Sequence, residues 1–226
     1  MRQPSTQTTR ATLGYVAPFA AFVVSMAIER FIPLPGQWLY PVRFCIVLTL
    51  ILAFSRPYLN FRPSHALASI ALGLAVFVIW IGPDVVFGYR DSWLFNNSIT
   101  GKAASSLPPH LKRNIGFMTL RCVSSFALIP ILEELFWRGW MMRWLIDKEF
   151  LKVPLGSYLP SAFWIVAALF ASEHGPYWEV GLIAGIAYNW WIIRTRNLAD
   201  CILAHAVTNA TLSAYVLYTG QWQYWL

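Results

Sequence analysis

Long apolar runs separated by short polar stretches dominate the chain: Leu13 to Ile28, Tyr40 to Phe54, Ala66 to Gly82, Phe117 to Trp137, Ser161 to Ser172, Gly181 to Ile193 and Cys201 to Leu217. A helix that crosses a bilayer needs about 20 apolar residues, and these runs approach that length. In hydrocarbon every backbone N–H and C=O must be satisfied within the protein, which leaves helices or a closed barrel. A barrel would show strands of alternating polarity, and none is present. The pattern predicts an all-α fold, a polytopic membrane helical bundle of about seven (six to eight) transmembrane helices. No Pro/Gly/Ser-rich linker interrupts it and no internal repeat divides it into two halves. One integral membrane domain over residues 1–226 is therefore expected. Ser25-Met26-Ala27 has the small-residue look of a signal-peptidase site, but the expectation is a retained first span.

Composition supports lipid as the solvent. Only 12% of residues are charged and mean hydropathy is +0.52, against roughly 25% charged in ordinary soluble domains. The net charge of +7 would suggest nucleic acid if it were gathered in a patch, but the cations are scattered near run ends, so no nucleic-acid partner is expected. They read as orientation signals. With seven spans and a cytoplasmic N-terminus, the inner segments hold Arg2, Arg10, Arg56, Arg62, Arg138, Arg143, Lys148, Lys152, Arg194 and Arg196, ten of the 17 Lys and Arg. Lys102, Lys112 and Arg113 fall in a long outer segment, Pro83 to Gly116. The positive-inside bias thus predicts a cytoplasmic N-terminus, and a bacterial-type inner membrane is the expected location. Cys45, Cys122 and Cys201 lie in or beside apolar runs without CxxC spacing and are read as free thiols.

Ionisable residues inside apolar spans cost about 2.5 to 3.5 kcal/mol each at the bilayer centre, so each needs a reason. Glu133 and Glu134 interrupt the fourth run, and Arg138 follows Glu134 at i+4, on the same helix face. A Glu134–Arg138 pair neutralises itself and leaves Glu133 turned away with no local partner. Such a carboxylate has a proton affinity that its surroundings can tune, as a general base requires. Phe170 and His174 share a face before Gly175-Pro176 ends the helix, and His205 and Asn209 form an i, i+4 pair on the last run. Counting about 1.5 Å per residue from the inner run ends puts Glu133 and His205 roughly 6 Å deep, Asn209 about 12 Å and His174 about 20 Å. His174 is the outlier. Phe170 is expected to pack, Asn209 alone would serve as interhelical glue, and His65, His110, Asp84, Asp91 and Glu179 are expected to be solvated.

In order on apolar helices, Glu133-Glu134-x-x-x-Arg138, Phe170-x-x-x-His174 and His205-x-x-x-Asn209 resemble the three signature motifs of the CPBP family, which includes the type II CAAX prenyl endopeptidases. The resemblance covers a motif-bearing core at residues 117–217. In compactness the chain is similar to the CAAX-protease-related proteins that accompany exosortase sorting systems. The resemblance implies an intramembrane endopeptidase of the glutamate type acting on a membrane-embedded or lipidated, CAAX-like protein or peptide. It implies that Glu133, helped by His174, activates a water, that His205 and Asn209 stabilise the oxyanion, and that Glu134, Arg138 and Phe170 support them. No metal or other cofactor is implied.

Three rival readings use the same residues. Glu133, His174 and His205 could ligate zinc with an open water position, although no HExxH helix is present. A non-proteolytic immunity or scaffold protein could bind a partner's transmembrane segment through the polar cluster. A proton-relaying transporter is the third, and the lack of repeats counts against it.

Overall fold

The structure is a computed structural model describing residues 6–29, 31–105 and 107–225; Arg2, counted above among the inner cations, lies outside them. Among the described residues there is no strand, and seven long helices follow the seven apolar runs: α1 (Thr6–Glu29), α2 (Gly36–Tyr58), α3 (Ala66–Phe87), α4 (Ile115–Trp144), α5 (Pro160–Ser172), α6 (Trp178–Thr195) and α7 (Leu198–Thr219). Five of them, α1 to α4 and α7, are long and apolar enough to cross a membrane, whereas α5 is apolar but has only 13 residues. The chain is an integral membrane protein with the architecture of a polytopic helical bundle.

Small residues let the helices approach closely, the usual device where lipid supplies no hydrophobic drive between spans. A Cβ on Gly73 of α3 would strike the carbonyl oxygen of Ala204 on α7. One on Gly185 of α6 would lie 3.2 Å from the Ala167 backbone of α5, and one on Gly139 of α4 would lie 2.7 Å from the Tyr15 ring of α1. Phe19 of α1 also stacks on Phe136 of α4, with centroids 4.0 Å apart. These contacts lock the N-terminal helices onto the half of the chain that carries the motifs.

Helix α4 is not uniform. It widens into π-helical turns at Ser124–Leu128 and Leu135–Met141, on either side of the segment Ile129–Glu134. Pro130 has no N–H to donate back along the helix, which accounts for a disturbed ladder before it. Glu133 and Glu134 thus stand between two widened turns, a setting frequent at functional sites.

Two of the acids expected to be solvated are not. Asp84 and Glu179 are half-buried and share Arg90, which is only 4% exposed. The guanidinium stands 3.1 Å from Asp84 and 2.6 Å from Glu179, while Tyr89 donates to Glu179 at 2.7 Å and Tyr224 to Asp84 at 2.5 Å. Burial of the cation demands such partners, and the fold supplies them by packing the segment after α3 and the C-terminal turn against the start of α6. Asp91, His110 and His65 are exposed, although the His65 backbone N–H donates to the fully buried Asp200 at 2.9 Å. The three cysteines are free thiols.

Candidate active site

The centre of the polar cluster is Arg138, completely buried on α4. Its Nη1 donates to Glu134 Oε1 at 3.1 Å, its Nε to Asn189 Oδ1 at 3.0 Å and its Nη2 to the Gly185 carbonyl at 3.2 Å. Its plane lies over the rings of Phe170, 4.5 Å away, and Tyr188, 5.4 Å away. Asn189 passes the chain of bonds on to the Phe163 carbonyl at 2.9 Å. Arg138 therefore ties α4 to both helices of the α5/α6 hairpin, and the i, i+4 pair read from the sequence is one strand of a larger net.

Glu134 Oε1 has a second partner. It accepts from His205 Nδ1 at 2.9 Å, and because a carboxylate only accepts, Nδ1 carries a proton and Nε2 points elsewhere. Nε2 stands 4.0 Å from Glu133 Oε2, too far for a direct hydrogen bond but close enough for one water to touch both. Tyr188 stacks on the His205 ring at 5.1 Å, and its hydroxyl is 2.8 Å from that of Thr208, which donates to the Gly73 carbonyl. Glu133 Oε2 is buried without a hydrogen-bond partner among the described residues. Orphaned oxygens of this kind are rare in folded proteins and mark places to look for chemistry.

His174 joins the others despite the depth count. It sits in the turn between α5 and α6, where Gly175-Pro176 folds the chain back, and its ring packs 5.3 Å from Trp80 and 4.8 Å from Phe170. Its Nδ1 is 2.7 Å from the Phe170 carbonyl. A carbonyl can only accept, so Nδ1–H donates and Nε2 keeps a lone pair. The count failed because it assumed that every run starts at one level, whereas the α5/α6 turn enters the bundle. Gly181 makes room for the ring: a Cβ there would lie 3.0 Å from His174 Cγ and Nδ1. Gly181→Ala should therefore push the ring off its Phe170 bond, and any activity that depends on the ring's position should fall by about ten- to a hundredfold. Because alanine is the better helix former, the melting temperature of the purified protein should hardly change.

Asn209 and Phe170 each do more than one thing. Asn209 Nδ2 donates to the Ser125 carbonyl at 2.9 Å, at the first widened turn of α4, which leaves its second amide hydrogen free. Phe170 is 1% exposed and is the surface on which Arg138 and His174 rest. His174, His205 and Asn209 line one cavity of about 20 Å³ with Trp80, Phe170 and Tyr188, large enough for one water. Glu133 is not in its lining but stands 4.0 Å from His205, which is.

Tyr188, Asn189 and Glu173 were not singled out from the sequence. Asn189 is, like Asn209, an amide in an apolar helix, and it is fully buried. Glu173 directly follows the fifth run and accepts the Trp137 indole N–H at 3.2 Å. Among the described residues no group of three or more His, Cys, Asp or Glu is arranged to hold a metal ion. The two imidazoles each spend Nδ1 on a protein acceptor, and Glu133 faces only one of them.

No curated protein and no solved structure matches the chain. Residues 115–211 match the family model described as type II CAAX prenyl endopeptidase Rce1-like, a segment that runs from the start of α4 into α7 and includes all three motifs. The match is confined to the part of the chain that builds the polar cluster, and over residues 115–211 the chain is similar to the Rce1-like type II CAAX prenyl endopeptidases, a protease family.

Proposed function

We propose that the protein is a glutamate-type intramembrane endopeptidase, with Glu133 as the base that activates water. The observation that carries this reading is the division of labour between the adjacent acids. Each acid has one buried oxygen without a hydrogen-bond partner among the described residues, but Glu134 is held through Oε1 by both Arg138 and His205, whereas no hydrogen bond among the described residues holds Glu133, whose Oε2 stands 4.0 Å from His205. Glu133 removes a proton from water, with His174 Nε2 as the second acceptor for that water, and the hydroxide attacks the peptide carbonyl carbon. The oxyanion that forms needs fixed donors in a low-dielectric site. Asn209 offers its free amide N–H. His205 offers Nε2–H as an imidazolium whose charge is held by Glu134. No serine or cysteine nucleophile is needed.

The substrate is a membrane-embedded or lipidated protein or peptide, since the cluster lies within the helical bundle and the family match is to a prenyl endopeptidase. The N-terminus lies in the cytoplasm, on the positive-inside bias. The test is cleavage of a fluorogenic peptide library with lipidated members by the purified protein in detergent, with and without a strong zinc chelator. Cleavage that the chelator leaves intact and that His205→Ala lowers by about 10²- to 10³-fold supports the reading. Cleavage lost with the chelator would transfer Glu133, His174 and His205 to a zinc site. No cleavage across the library would favour the non-proteolytic binding protein, a reading for which the small size of the cavity, about 20 Å³, is the specific support.

A further inference from the structure

Glu173 is the acid of this site to which the three motifs assign nothing. Its Oε2 is fixed by the Trp137 indole at 3.2 Å, and Trp137 follows Glu133 by one turn on the same side of α4. Glu173 also immediately precedes His174 at the turn between α5 and α6, and like Glu133 it stands outside the lining of the His174–His205–Asn209 cavity. The side chain is exposed, and among the described residues no cation is paired with it. Arg138 is committed to Glu134.

The glutamate-protease reading, on which this inference rests, leaves one requirement unmet. The departing amine must gain a proton as the C–N bond breaks, and Glu133 has just taken its proton on the water side of the carbonyl. We propose that Glu173 is the general acid that protonates the leaving nitrogen. Water loses one proton to Glu133 and its oxygen bonds to the carbonyl carbon. The C–N bond then breaks with its electron pair on nitrogen, which takes the proton of Glu173. Transfer of the proton from Glu133 to Glu173 restores the starting state, and the net change is hydrolysis. The charged and titratable groups facing this pair are Glu134 and Arg138 on α4, His174 beside Glu173, and His205 on α7. Two neighbouring carboxyls resist ionising together, which suits a pair that holds one proton at rest.

The test compares a cleaved peptide amide with the p-nitrophenyl ester of the same acyl segment, because nitrophenolate departs without a proton. For Glu173→Gln, kcat on the amide should fall by about 10²-fold or more with KM changed less than about twofold, while the ester should keep its rate within about threefold. The alkaline limb of the amide pH–rate profile should be lost as well. Equal losses on amide and ester, or an undiminished amide rate, would overturn the proposal. Glu133→Gln should abolish both reactions, since both need activated water. If Glu133→Gln spares both, or the wild type cleaves neither, the failure belongs to the glutamate-protease reading and takes the general acid with it.

Discussion

Glu133→Gln is expected to lower kcat for peptide cleavage by about 10⁴-fold while leaving the melting temperature of the purified protein unchanged or slightly higher. The two halves of this expectation come from the same atom. Glu133 Oε2 is buried with no hydrogen-bond partner among the described residues, so its charge is held at a cost and an amide of nearly the same shape removes that cost. The amide cannot take a proton from water, and the pathway loses its base. Glutamine also keeps the volume, so the Nε2 face of His205 retains a polar neighbour. An activity loss accompanied by unfolding would instead make Glu133 a structural acid. Retention of more than about a tenth of the activity would remove it from the mechanism. Comparison with Glu133→Ala separates the proteolytic and binding readings. A protein that only docks a partner helix tolerates the isosteric amide and fails with the truncation, whereas hydrolysis fails with both.

How far the sequence discloses this site follows from the range of each interaction. The Glu134–Arg138 pair is legible because helix geometry alone places i and i+4 on one face. The seven runs are legible because lipid demands continuous apolar length, and the helices differ from them mainly at their ends. The fourth run ends at Trp137, yet α4 continues to Trp144, since Arg138 and Arg143 are buried by protein rather than by lipid or water. What the sequence cannot disclose is tertiary pairing. The second partner of Glu134 is His205, 71 positions away. Asp84 and Glu179, at the edges of their runs, look like surface acids until Arg90 is seen between them. His174 is misplaced by any count of depth along straight spans, because Gly175-Pro176 turns the chain inside the bundle. Asn189 is an amide in an apolar helix like Asn209, but Gly185 stands four residues before it where His205 precedes Asn209, so no ionisable neighbour on its face marks it in the sequence.

Arg138→Met should have the largest effect on stability, a loss of about 3 to 5 kcal/mol measured as reversible unfolding in mixed micelles. The guanidinium is fully buried, and its removal deletes three hydrogen bonds at once: to Glu134, to Asn189 and to the Gly185 carbonyl. Most of the expected cost lies in what remains. Glu134 is completely buried, and without Arg138 its carboxylate retains only His205. Two consequences distinguish this account from a simple packing defect. Arg138→Lys should also destabilise, because a single ammonium cannot reach acceptors on α4 and α6 together or stack on Phe170 and Tyr188. Adding Glu134→Gln to Arg138→Met should restore a large part of the lost stability, since the orphaned charge is then gone. The double variant should still be inactive, because His205 Nδ1 has lost the carboxylate that holds an imidazolium in place for the oxyanion. If the second substitution restores no stability, the cost of Arg138→Met lies in the lost volume and aromatic contacts, and the buried ion pair would not be what holds α4 to the α5/α6 hairpin.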